Sequence, residues 1–92
     1  MKSPDATLPS NPFVEDIERR LCELGNLVTG QFPMTARQVL RGGRNVGMYF
    51  CIHGPRSVKL TAIYDQPNSQ IIYYGSDGMR RESVAVGNAF AL

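Results

Sequence analysis

The sequence predicts an α+β fold: an N-terminal amphipathic helix and a short second helix packed on a three- to four-stranded antiparallel meander sheet. Three observations carry that prediction. Residues 46–86 alternate apolar and other side chains in short runs, the period of strands that lay one face on a core. Tight-turn residues separate the runs, and strands joined by tight turns must be antiparallel. Ahead of them, apolar residues recur at helical spacing between positions 12 and 24.

Residues 1–10 hold Pro4, Pro9, Ser3, Ser10, Asp5 and Thr7 without periodicity, and read as a flexible N-terminal arm. The single α+β domain is expected over 11–92. Asn11 offers an N-cap and Pro12 the first helical position, where a missing N–H costs nothing. Phe13, Ile17, Leu21 and Leu24 make one apolar stripe, with Glu15, Asp16 and Glu18 in the early turns, where the helix dipole favours anions. Gly25 supplies the stop, so the helix is expected over about Pro12–Leu24. After an irregular stretch from Asn26 to Pro33, Thr35 is expected to cap a short helix over Ala36–Arg41 that Gly42-Gly43 ends, with Val39 and Leu40 pinning it to the edge of the core.

In the meander, Val46, Met48, Phe50 and Ile52 lie on the core face of one strand, and Val58, Leu60, Ala62 and Tyr64 on that of the next. Gly54-Pro55-Arg56 separates them. A one-residue slip would turn every side chain over, so the apolar sets must coincide. Pairing Ile52 with Val58 achieves this, with Phe50 opposite Leu60 and Met48 opposite Ala62. Gln66-Pro67-Asn68-Ser69 has the residues of a type I turn, which pairs Asp65 with Gln70 and adds Ile71 and Tyr73 to the core face. Asp77-Gly78 signals a type I′ hairpin, whose two central residues need φ > 0. It aligns Ile71 with Val84 and Tyr73 with Glu82, and Val86 extends the row. Residues 79–86 therefore read as a strand, with a helix starting at Asp77 as the competing reading. The tail from Asn88 to Leu92 is expected to fray or fold back over an apolar edge.

The 92 residues suit one small domain, and the net charge is only +2. No apolar run approaches the ~20 residues of a membrane span, and the start lacks a basic segment followed by an apolar one. A cytoplasmic location away from membranes is the expectation. Cys22 and Cys51 stand in no metal spacing and read as free buried thiols.

The small net charge hides an asymmetry. No carboxylate lies between Glu23 and Asp65, yet that span holds Arg37, Arg41, Arg44, Arg56 and Lys59, with His53 in addition. Such a segment suits an anion or nucleic-acid surface; a solvated basic face is the plainer reading. The second face of the expected sheet collects Tyr49, Cys51, His53, Lys59, Thr61, Ile63, Ile72, Tyr74, Arg81 and Ser83. Aromatics beside cations on an open sheet hold single-stranded nucleic acid by base stacking and phosphate contact. Ile63 opposite Ile72 instead suggests cover by the tail, the second helix or another subunit.

The turn His53-Gly54-Pro55-Arg56-Ser57-Val58-Lys59 clusters donors. His53, Arg56, Ser57 and Lys59 can hold a phosphate or carboxylate between them. With Tyr49, Tyr74 and Arg81 from the sheet face, they form the candidate ligand-binding set. Cys51 and His53 share a strand face roughly 7 Å apart by strand rise, too far for a direct hydrogen bond without bending. With one histidine in the chain, no metal site is expected. No phosphate loop, dinucleotide fingerprint, nucleophile elbow or paired-carboxylate constellation is present, so no cofactor is expected. The Arg41-Gly42-Gly43-Arg44 stretch resembles one unit of an arginine-glycine RNA-binding segment and the end of the ubiquitin tail. A single unit is not a repeat and Gly43 is internal, so a connecting loop accounts for both glycines.

The leading expectation is a non-catalytic module that binds RNA or a phosphorylated ligand. A protein-interaction or homodimerisation module is the alternative, and a small enzyme using His53 the third reading. The stretch from Tyr49 to Tyr64, with His-Gly-Pro-Arg-Ser-Val-Lys-Leu-Thr-Ala-Ile-Tyr at its centre, resembles a family of small bacterial proteins of uncharacterised activity. That likeness implies no activity and names no site.

Overall fold

The computed structural model describes residues 12–86. Helix α1 (Pro12–Gly25) is followed by five strands: β1 (Met34–Arg41), β2 (Arg44–His53), β3 (Lys59–Asp65), β4 (Gln70–Tyr74) and β5 (Arg80–Ala85). The strands form one antiparallel sheet in sequence order, a meander of the expected kind with one more strand and one fewer helix. The N-terminal arm, the Asn11 cap and the tail after Gly87 lie outside the described residues.

The α1 stripe is as spaced, with Phe13, Ile17 and Leu21 buried, and Val14 beside Phe13 and Cys22 beside Leu21 widen it at its two ends. It packs on Phe50, Ile52, Leu60, Ala62, Tyr64, Ile71 and Tyr73. Phe13 meets Tyr64 edge-on, ring centroids 5.2 Å apart. Burial pushes the Tyr73 hydroxyl up to about 12, so it stays neutral beside the helix.

The stop at the helix end is built differently from the expectation. Leu27 N–H donates to Cys22 O at 2.8 Å and Asn26 N–H to Glu23 O at 3.3 Å, the two bonds of a Schellman motif. The left-handed residue is Asn26 (φ 56°), not Gly25. Gly25 is needed for space, because a Cβ there would stand 2.2 Å from Leu60 Cδ1.

The expected second helix does not form. Residues 34–41 are an edge strand, with Thr35 opposite Cys51 and Arg37 opposite Tyr49. Gly42 (φ 60°) and Gly43 (φ 81°) are the two central residues of a tight hairpin that pairs Arg41 with Arg44. A lone six-residue helix makes few internal bonds, whereas the hairpin satisfies one side of this whole segment on β2. Leu40, expected to pin a helix to the core, is 60% exposed.

The β2–β3 pair keeps the expected face but slides by two residues: Ile52 lies opposite Leu60, Phe50 opposite Ala62 and Met48 opposite Tyr64. The connection is longer than expected because Arg56 (φ 57°) and Ser57 (φ 64°) are both left-handed, and Gly54 N–H donates to Val58 O at 2.8 Å. The β3–β4 register is as expected, Asp65 facing Gln70. So is β4–β5, with Ile71 facing Val84 and Tyr73 facing Glu82; 80–85 is strand, not helix. The turn itself is a three-residue loop, since only Gly78 (φ 80°) is left-handed and Gly75 N–H donates to Met79 O at 2.9 Å. A bulge follows, and Tyr74 pairs with Arg80.

Candidate binding surface on the open face of the sheet

Helix α1 covers one face of the sheet. Among the described residues no element covers the other. Cross-strand register sets its rows. Thr35, Cys51, Thr61 and Tyr74 make one row, and Arg37, Tyr49, Ile63, Ile72 and Ser83 the next. Val39, Gly47, Asp65, Gln70 and Ala85 make a third, and His53 faces Lys59 at the opposite end. Neighbouring side chains in a row stand about 5 Å apart.

Tyr49 and Tyr74 are half-buried on this face, as are Ile63 and Ile72, which pair directly. Arg37 lies over the Tyr49 ring, its guanidinium carbon 5.4 Å from the ring centre. Cys51 is 4% exposed despite facing outward. Its thiol lies 3.9 Å from Ile52 O and makes no bond to His53, whose Nε2 is 3.2 Å from Thr35 Oγ1.

Of the residues singled out from sequence, the structure brings His53 and Lys59 together as a direct cross-strand pair, and Arg56 and Ser57 sit exposed in the loop joining their strands. Tyr49 and Tyr74 share the face two strands apart. Arg81 is set apart from them: the bulge leaves it without a strand partner, and it donates to Asp77 Oδ2 at 2.7 Å. Arg37 and Arg80 belong beside this set. Arg37 was hidden by its place in the expected helix, and Arg80 by the unforeseen bulge.

The charges are segregated. Glu15, Asp16, Glu18 and Glu23 lie on α1, and Glu82 turns toward the helix, accepting from Arg20 Nε at 2.8 Å and from Arg20 Nη2. That bond holds the Glu82 carboxyl below the usual carboxylate range. Asp65 is also held low, first by the Asn68 amide, which donates to it at 2.8 Å, and last by the charge of Arg41. Ion pairs among the described residues use Arg19, Arg20 and Arg81. Arg37, Arg41, Arg44, Arg56, Lys59 and Arg80 have no carboxylate within ion-pair distance among them.

No group of three His, Cys, Asp or Glu residues able to hold a metal occurs among the described residues. Cys22 and Cys51 are both free and buried. Burial pushes the Cys22 thiol up, which favours the thiol over the thiolate. No helix among the described residues is long and apolar enough to cross a membrane. Comparison with protein-family models, curated proteins and solved structures finds no match.

Proposed function

We propose that the protein is a non-catalytic binding module that holds an anionic partner, single-stranded RNA foremost, on the open face of its sheet. The observation that carries this reading is the set of cations without carboxylate partners around the half-buried Tyr49 and Tyr74. Bases stack on aromatic or guanidinium planes, and the Arg37–Tyr49 pair offers both. Lys59 faces His53 at one end of the face and Arg56 is exposed in the loop that joins their strands, so a phosphate held there would meet two permanent charges. The acidic helix on the other side would repel the same polyanion and orient it.

Titrating a labelled oligoribonucleotide at low salt tests the reading. The variant Arg56→Ala/Lys59→Ala should weaken binding at least tenfold while melting like the parent, since exposed positions change stability by no more than about 0.5 kcal/mol. A double variant that binds as the parent does would remove these two residues from the site.

A second reading, self-association through this face, rests on the half-buried Ile63–Ile72 pair. Sedimentation at rising concentration should then show dimers that Ile63→Lys abolishes. A monomer at every concentration counts against it.

A further inference from the structure

The Arg41-Gly42-Gly43-Arg44 hairpin places two guanidinium side chains directly opposite each other. Like charges facing across strands are destabilising, and neither has a carboxylate within ion-pair distance among the described residues. Both sit on the open face at the end away from His53 and Lys59.

Two depressions meet beside this tip. One, of about 190 Å³, is walled by Val39, Val46, Ile63 and Ile72, with Arg41 and Asp65 on its rim. Gly47 must stay bare, since a Cβ there would stand 2.0 Å from Tyr64 O. The second, of about 350 Å³, is lined by Arg44, Asn45, Val46, Gln66 and Pro67. Asn45, one of its lining residues, accepts from Gly47 N–H through Oδ1 at 3.1 Å, a bond that does not use its amide NH2. Val46, the residue bulged out of the β1–β2 pairing, is common to both.

We propose that this end of the face is a site for one nucleotide unit. Its phosphate lies between Arg41 and Arg44 with the Asn45 and Gln66 amides beside it, and its base rests on Val39, Ile63 and Ile72. An anion between the two guanidiniums replaces their repulsion with two charge-assisted contacts. The apolar dip adjoining it favours a ring-bearing anion over phosphate alone. Ionised Asp65 on the rim offers the exocyclic or ring N–H groups of a base an acceptor.

The inference rests on the anion-binding reading of this face and names a different end of it, so the two can fail separately. Adenosine monophosphate at low salt should shift the backbone amides of residues 42–47 together with those of Ile63, Asp65 and Ile72. Inorganic phosphate should move the hairpin tip alone. Arg44→Glu supplies the missing partner for Arg41, so it should raise the melting temperature while lowering affinity for the nucleotide at least tenfold. If the nucleotide leaves 42–47 unmoved while RNA still binds through Arg56 and Lys59, the nucleotide site is overturned and the broader reading stands. Nucleotide binding unchanged in Arg44→Glu would overturn it as well.

Discussion

Arg20 joins the helix to the last strand through Glu82, and the pair sets a pH dependence. The folded chain binds the Glu82 proton more weakly than the unfolded chain, because the guanidinium favours the carboxylate. The stabilisation is therefore complete above the unfolded carboxylate value of about 4.3 and is lost as pH falls through the lower folded value. Glu82→Gln should destabilise at neutral pH, and its gap from the parent should close on acidification. A gap that stays constant from neutral to acid pH would show that the ion pair does not supply it. Phe50 tests the core. It is buried under α1, and Phe50→Ala should cost on the order of 3 kcal/mol in urea melts. Thr61→Ala, on the open face, should cost far less; equal losses would mean the faces are exchanged.

At the scale of elements, the helix end separates two roles that one glycine was expected to fill. Gly25→Ala should destabilise by about 1–3 kcal/mol, because the added methyl enters the space of Leu60, although helix propensity alone would favour alanine. Asn26→Gly should be tolerated, while Asn26→Val should cost about 1–2 kcal/mol for a branched residue held left-handed. If Gly25→Ala stabilises, the close approach is wrong.

What was legible in the sequence follows the same local logic. The β3–β4 register was readable because a short turn ties the pairing to the positions of Gln66–Ser69. The β4–β5 register came out as expected although the turn is one residue longer, because the bulge at Arg81 restores the pairing beyond it. The β2–β3 pairing slipped because nothing in Pro55-Arg56-Ser57 announces two successive left-handed residues; the slip was even, so Met48, Phe50, Ile52, Leu60, Ala62 and Tyr64 kept their face, whereas Val46, expected on the core face, is bulged out of the β1–β2 pairing and lies with Val39 and Ile63. Strand β1 was missed because Ala36, Arg37, Gln38 and Leu40 favour helices, and as an edge strand it buries too little to alternate clearly. Its tertiary partner β2 decides its state. Of the candidate site, the shared face of His53 and Lys59 and that of the two tyrosines were readable by alternation, while the direct pairing of His53 with Lys59 came only with the two-residue slide. Arg37 over Tyr49 and the facing Arg41 and Arg44 depended on β1 and were not.

At the scale of the molecule, an acidic helix backs a sheet whose other face carries tyrosines, a pair of isoleucines and cations without a carboxylate partner among the described residues. That polarity makes binding to a polyanion directional and dependent on salt, since every phosphate neutralised releases condensed counterions. The most direct measurement is a titration of the isotope-labelled protein with single-stranded RNA, followed amide by amide at low and moderate salt. Shifts should gather on the open-face rows around Arg37, Tyr49, Thr61, Ile72 and Tyr74, leave the outer side of α1 unmoved, and weaken steeply as salt rises. RNA that shifts nothing at low salt, or that shifts the helix and leaves the open face untouched, would contradict the assignment of this face as the binding surface.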